Sequence, residues 1–237
     1  DLTEFFVDKF KLDKEYLRER NQRRGARLQR GFTQNILGEK GGNVVINPRS
    51  FERKRPPEKP QFAWTLVIDN SGSCSGEIIE QEKMLAVALV EVAKTLDIPL
   101  EIVTFGGPDQ FTFLKGFEQD ISGDDLQKMV LLHADQGTPD VVTLDAACTS
   151  MGKFTDKFRR SYNFVYFMTD GQSGEGSIQK VIKRHKKDMV ITGIGMAGAA
   201  QTIAQTWGKN AVEVPDVKKL SDSFIRKVED QIDSTFD

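Results

Sequence analysis

Asp69, Ser71 and Ser73 alternate in the run Asp69-Asn70-Ser71-Gly72-Ser73-Cys74-Ser75-Gly76, directly after the apolar stretch Phe62 to Ile68. In a locally extended loop, alternate side chains project to one side, so the three would present one carboxylate and two hydroxyls together. Oxygen donors of this kind suit Mg²⁺, Mn²⁺ or Ca²⁺ and do not favour zinc, which takes nitrogen and sulfur more readily. Two further stretches could complete the set. Thr138 lies in Gly137-Thr138-Pro139 ahead of a predicted helix, and Asp170 lies in Thr169-Asp170-Gly171 after the apolar stretch Tyr162 to Met168. Two carboxylates balance one divalent ion, and three neutral hydroxyls leave at least one of six positions to water or to a carboxylate from outside. A helix expected to begin near Gly76 or Glu77 turns its positive N-terminal end toward the loop, which favours that incoming carboxylate. The competing reading has Ser71 and Ser73 capping this helix while Asp69 and Asp170 accept turn hydrogen bonds.

No general base or nucleophile accompanies these groups. His133 and His185 are the only histidines, and neither has a metal-ligand spacing. His185 falls in the basic run Lys183 to Lys187 and reads as solvated, His133 as a loop residue. The expected role is therefore non-enzymatic.

The positioning elements follow from hydrophobic pattern. Phe62 to Ile68 is rich in Trp, Val and Ile and carries no charge, the character of a strand buried on both faces of a parallel sheet. From residue 61 onward the pattern alternates strand and helix, which predicts an α/β, doubly wound, mostly parallel sheet of the Rossmann-like type. Predicted helices cover Glu80 to Leu96, Asp124 to Leu132, Pro139 to Met151, Ser177 to Lys187, Ala199 to Trp207 and Val217 to Ile232. Predicted strands cover Leu100 to Phe105, Tyr162 to Met168, Met189 to Ile194 and Ala211 to Val214, with Gln110 to Lys115 as an antiparallel edge strand. In such a sheet ligands bind beyond the carboxyl ends of the strands, where Asp69 and Asp170 both fall.

Charge divides the chain. Residues 1 to 60 hold about 15 basic and about 9 acidic side chains, leaving an acidic excess beyond, although the total is close to neutral. This reads as a basic helical arm and a Pro/Arg-rich linker, 1–60, followed by a domain at 61–237. The arm would place short amphipathic helices within residues 3 to 24, then the basic run 18–30, with Val44 to Ile46 a short strand and Arg49 to Pro60 an extended linker. Two distant cysteines, Cys74 and Cys148, match no paired ligand spacing and read as reduced thiols of a cytoplasmic protein, with a single disulfide as the alternative. No apolar run approaches the length of a membrane span. The chain opens on Asp1, which reads as a fragment or a missing N-terminus.

The motifs Asp69-x-Ser71-x-Ser73, Gly137-Thr138-Pro139 and Thr169-Asp170-Gly171, in this order, resemble the metal-ion-dependent adhesion site of von Willebrand factor A domains. The resemblance covers residues 61 to 235, about three quarters of the chain. It implies that Asp69, Ser71, Ser73, Thr138 and Asp170 hold Mg²⁺ directly or through water, and that the ion grips an Asp or Glu of a partner protein. The Arg/Pro-rich approach, Leu28 to Phe32, Gly193-Ile194-Gly195 and Val212 to Val217 resemble intracellular members: cobalt-chelatase large subunits, midasin and the partners of MoxR-type AAA+ ATPases. That branch implies a domain coupling an ATPase ring to a client. No Walker A pattern is present, so ATP chemistry would belong to the partner.

Two other readings stay open. Gly193-x-Gly195-x-x-Gly198 follows a predicted strand, with Glu213 about 20 residues on, which matches the fingerprint of a dinucleotide-binding oxidoreductase. The basic stretch 18–30 could instead bind RNA, with steep salt dependence.

Overall fold

The computed structural model describes residues 17–22, 27–28, 36–40, 43–46, 51–55, 61–106, 111–134, 137–158, 161–171, 177–196, 199–214 and 230. Its contacts divide the chain into a unit within Lys11–Lys59 and a larger one that includes Pro60–Asp237.

The first unit is built of strands. β1 (Leu17–Gln22), β2 (Arg27–Leu28) and β5 (Phe51–Arg55) form an antiparallel sheet with β5 in the middle, and β3 (Ile36–Lys40) pairs with β4 (Asn43–Ile46). The helical arm is thus corrected over residues 17–22, and the linker over 51–55. Both segments are rich in Arg and Glu, which are good helix formers taken locally. Pairing between strands distant in the chain overrides that preference, as between Leu17 and Arg55. Residues 3–16 of the proposed arm lie outside the described residues. The expected strand at Val44 to Ile46 is part of β4.

The second unit has the expected α/β architecture. Its sheet runs β11-β10-β9-β6-β7-β8, from β6 (Gln61–Asp69), β7 (Leu100–Phe105), β8 (Phe111–Lys115), β9 (Ser161–Met168), β10 (Val190–Met196) and β11 (Ala211–Val214). All neighbours pair parallel except β7 with β8, the antiparallel edge. β6 alternates between two covered faces: Trp64, Leu66 and Ile68 enter one core, Ala63 and Val67 the other. That double coverage is why the strand lacks a polar face.

α1 (Glu77–Thr95) and α2 (Gly123–Val130) cover the first face, where Leu85, Ala86, Leu89 and Met129 meet the sheet. α3 (Asp140–Thr155), α4 (Ile178–His185) and α5 (Ala200–Trp207) cover the second. α2 opens on a capping box, Ser122 Oγ accepting from Asp125 N while Ser122 N donates to Asp125 Oδ2. α3 continues a turn past its expected end at Met151, and Phe154 there stacks on Phe117 with ring centres 4.3 Å apart. The expected closing helix, Val217 to Ile232, lies almost wholly outside the described residues. Among the described residues no helix is long and apolar enough to cross a membrane. Cys74 and Cys148 are both free, buried thiols, so the disulfide alternative falls away.

Candidate metal centre

The chain steps from β6 outward to β7 on one side and later returns to β9 on the other, so strand order reverses at β6. The crevice outside the carboxyl ends at such a switch point is where open α/β sheets bind ligands. Asp69 ends β6 and Asp170 follows β9 by two residues, and both carboxylates are buried at that edge.

The loop after Asp69 is not extended throughout. Gly72–Cys74 forms a single 3₁₀ turn, closed by Cys74 N donating to Ser71 O at 3.0 Å. The expected extended alternation is corrected there, yet Ser71 Oγ and Ser73 Oγ still lie 3.1 Å apart. Ser71 is buried and Ser73 exposed, so the hydroxyl pair runs from the interior to the surface. Neither serine caps a helix through its side chain: the N-cap of α1 is Gly76. The turn reading holds for Asp69, whose Oδ1 accepts from Ser71 N at 2.9 Å.

Asp69 Oδ2 accepts from Thr169 Oγ1 at 2.6 Å, a bond between the ends of β6 and β9. One oxygen each of Asp69 and Asp170 and the Cys74 sulfur lie within 4.8 Å of one another. Asp69, Ser71, Ser73 and Asp170 therefore converge. Thr138 is half-buried two residues before α3 and shares no hydrogen bond with these four among the described residues. Its helix packs on β6, β7 and β9 and leads, through a short connection, into the start of β9. The N-terminal end of α3, with Thr138 ahead of it, accordingly faces the carboxyl edge.

Asn70 binds the neighbouring loops to this edge. Its backbone N donates to Phe105 O at 2.8 Å, and its Nδ2 donates to Gly106 O at 3.0 Å and His133 O at 3.3 Å. Gly106 makes the approach feasible. Its φ is +116°, and a Cβ there would stand 2.6 Å from Asn70 C and Ser71 N.

Glu82, on α1, is a third buried carboxyl. It is fully buried, its Oε1 lies 4.0 Å from Cys74 Sγ, and burial and then the charges of Asp69 and Asp170 hold it well above the ordinary carboxylate range. Burial, with a smaller contribution from Asp170, raises Asp69 to about 6 against hydrogen bonds from Ser71 and Thr169 that lower it. Neither Asp69 nor Glu82 enters a salt bridge among the described residues. A divalent cation relieves such crowding of like charge, and carboxylates and hydroxyls are the donors a hard ion prefers.

Sequence reasoning missed Asn70, Cys74, Glu82 and Thr169 as parts of this centre. A signal existed for Glu82: it lies on the helical stripe of Ile79, Ala86, Leu89 and Ala93, and a charge on a buried stripe calls for a partner. The glycines of the dinucleotide fingerprint have another use. A Cβ on Gly193 would enter the Trp207 ring and one on Gly195 would meet Ile203, so both glycines seat α5 against β10. Gly198 lies outside the described residues.

No family model matches the chain, and no curated protein does. Solved structures do. Two crystal structures of proximal thread matrix protein 1 from the mussel byssus superpose with TM-scores of 0.54 and 0.55 at 16% identity, covering 73% of this chain and 48% and 47% of those. The open conformation of the pilus adhesin SpaC from Lactobacillus rhamnosus GG superposes with a TM-score of 0.54 at 9% identity, covering 75% of this chain and 31% of that one. The chain thus spans less than half the length of the structures it matches, and the likeness is one of fold, the von Willebrand factor A-like α/β arrangement.

Proposed function

We propose that the larger unit is a non-catalytic interaction domain that holds Mg²⁺, or Mn²⁺ or Ca²⁺, through Asp69, Ser71, Ser73, Thr138 and Asp170, directly or through water. The bound ion supplies a Lewis-acidic position that takes an Asp or Glu side chain of a partner protein. The observation that carries this reading is the convergence of Asp69, Ser71, Ser73 and Asp170 at the switch point of the sheet. Asp69 and Asp170 supply the counter-charge from the interior, Ser71 and Ser73 lead the donor set outward, and Thr138 approaches from α3. Thr169 and Asn70 hold the carboxylate and the loops in place.

The partner we favour is a MoxR-type AAA+ ATPase or its client, in a chelatase-like or remodelling assembly of the cytoplasm; the resemblance to intracellular family members supports this. The test is a pull-down from native extract with Mg²⁺, with EDTA, and with Asp69→Ala protein. A partner retained only with Mg²⁺ and intact Asp69 supports the mechanism, and its identity tests the ATPase assignment. The same proteins in all three lanes would remove the metal as the recognition element.

A further inference from the structure

The donor set at this edge is not purely hard. Cys74 is buried beneath the loop, its sulfur within 4.8 Å of a carboxylate oxygen of Asp69 and of Asp170, and 3.8 Å from Ser71 Oγ. Donor atoms this close can share one ion, since ligands at opposite sides of a metal stand about twice a bond length of roughly 2.0–2.3 Å apart. Glu82 adds an independent indication. Its side chain is wholly buried, Oε1 lies 4.0 Å from Cys74 Sγ, and Oε2 has no hydrogen-bond partner among the described residues. A buried carboxylate oxygen without a donor, beside a thiol and two carboxylates, is an environment that a cation completes.

We infer that the centre has a second, inner donor set, Cys74 Sγ with Asp69 and Asp170 and with Glu82 adjoining, which takes a thiophilic divalent ion such as Zn²⁺ in place of Mg²⁺. This rests on the metal-binding reading above and deepens it. On binding, the Cys74 thiol releases its proton to solvent and the sulfur gives an electron pair to the ion, with no change of oxidation state. Thiolate selects the softer ions and leaves Mg²⁺ to the outer oxygens. Because Asp69 and Asp170 serve both sets, the two ions compete. Zn²⁺ would draw the carboxylates inward and displace the Mg²⁺ that faces the partner.

Cobalt(II) reports this directly, because a sulfur ligand gives a near-ultraviolet charge-transfer band that oxygen ligands do not. Co²⁺ is titrated into the purified full chain and into Cys74→Ser and Cys148→Ser proteins, with Mg²⁺ binding followed separately by calorimetry. Cys148 is the control, since it packs in the core on the other face of the sheet. The expected result is a band in wild type and in Cys148→Ser, abolished in Cys74→Ser. Cys74→Ser should also lose roughly tenfold or more in Zn²⁺ affinity, the least that losing even an outer partner of a ligand costs. A wild-type protein that binds Mg²⁺ but shows no band overturns the inner set and leaves the outer one standing. Failure to bind Mg²⁺ at all overturns the outer site instead. Cadmium NMR of the wild-type protein, which reads sulfur ligation from the shift, decides the question if Cys74→Ser does not fold.

Discussion

Asp69 and Glu101 are both buried carboxyls on paired strands, one at the end of β6 and the other near the start of β7. Burial raises both, Asp69 to about 6 and Glu101 to about 7. Their neighbours differ in sign. Glu101 Oε1 accepts from Ser150 Oγ at 2.6 Å, Oε2 accepts from Thr65 Oγ1 at 3.3 Å, and the charge of Lys115 favours its ionised form. Asp69 instead faces Asp170 and Glu82. A raised carboxyl therefore does not by itself mark a site. Glu101 is offset by a cation of its own chain, whereas Asp69 stands among like charges, in a group that could hold a metal ion.

Exchanging the two carboxyls should break this comparison most sharply. Asp69→Ala is expected to abolish Mg²⁺ binding in calorimetry while lowering the urea midpoint less than Glu101→Ala does, because removing a buried charge beside Asp170 offsets the lost acceptor of Ser71 N and Thr169 Oγ1. Glu101→Ala should leave Mg²⁺ binding intact and destabilise the fold by about 1–3 kcal/mol, since Ser150 and Thr65 lose their acceptor. Equal loss of metal binding in both would erase the distinction.

The pH dependence separates them next. Between about 4.5 and about 7 the unfolded chain releases the Glu101 proton that the folded chain still holds, so stability falls as pH rises, by on the order of 3 kcal/mol. Asp69 adds a decline of the same sign between its ordinary value of 3.8 and about 6. Urea unfolding across this range should show Mg²⁺ suppressing the Asp69 part and Glu101→Gln removing the other. A profile insensitive to both changes would contradict the assignment.

Gly106→Ala carries a smaller effect but aims at geometry alone. The new Cβ must displace the Asn70–Ser71 backbone in a conformation side chains rarely adopt, costing about 1–3 kcal/mol. Mg²⁺ affinity should fall with it, although no donor is removed. Thr169→Val should weaken Mg²⁺ binding least: it removes the bond to Asp69 Oδ2 and the acceptor of Gly171 N, at about 1 kcal/mol each, read as a several-fold weaker Mg²⁺ isotherm.

The α/β order and the converging residues were readable because they rest on local signals: apolar runs that end in polar loops, and short motifs at strand ends. The strands of the first unit were not readable, because Leu17–Gln22 owes its conformation to Phe51–Arg55. The same limit hid the inner residues of the candidate metal centre. Thr169 and Asp69 are a hundred residues apart, Cys74 matches no paired ligand spacing, and the role of Gly106 appears only once β7 lies against the Asn70 loop.

The proposed interaction depends on an ion held among Asp69, Ser71, Ser73, Thr138 and Asp170. Anomalous diffraction from crystals grown with Mn²⁺ tests it most directly. A peak is expected within coordination distance of Ser71 Oγ and Ser73 Oγ, lost in Asp69→Ala crystals. Mn²⁺ found only elsewhere on the surface, or unchanged by that substitution, would contradict it.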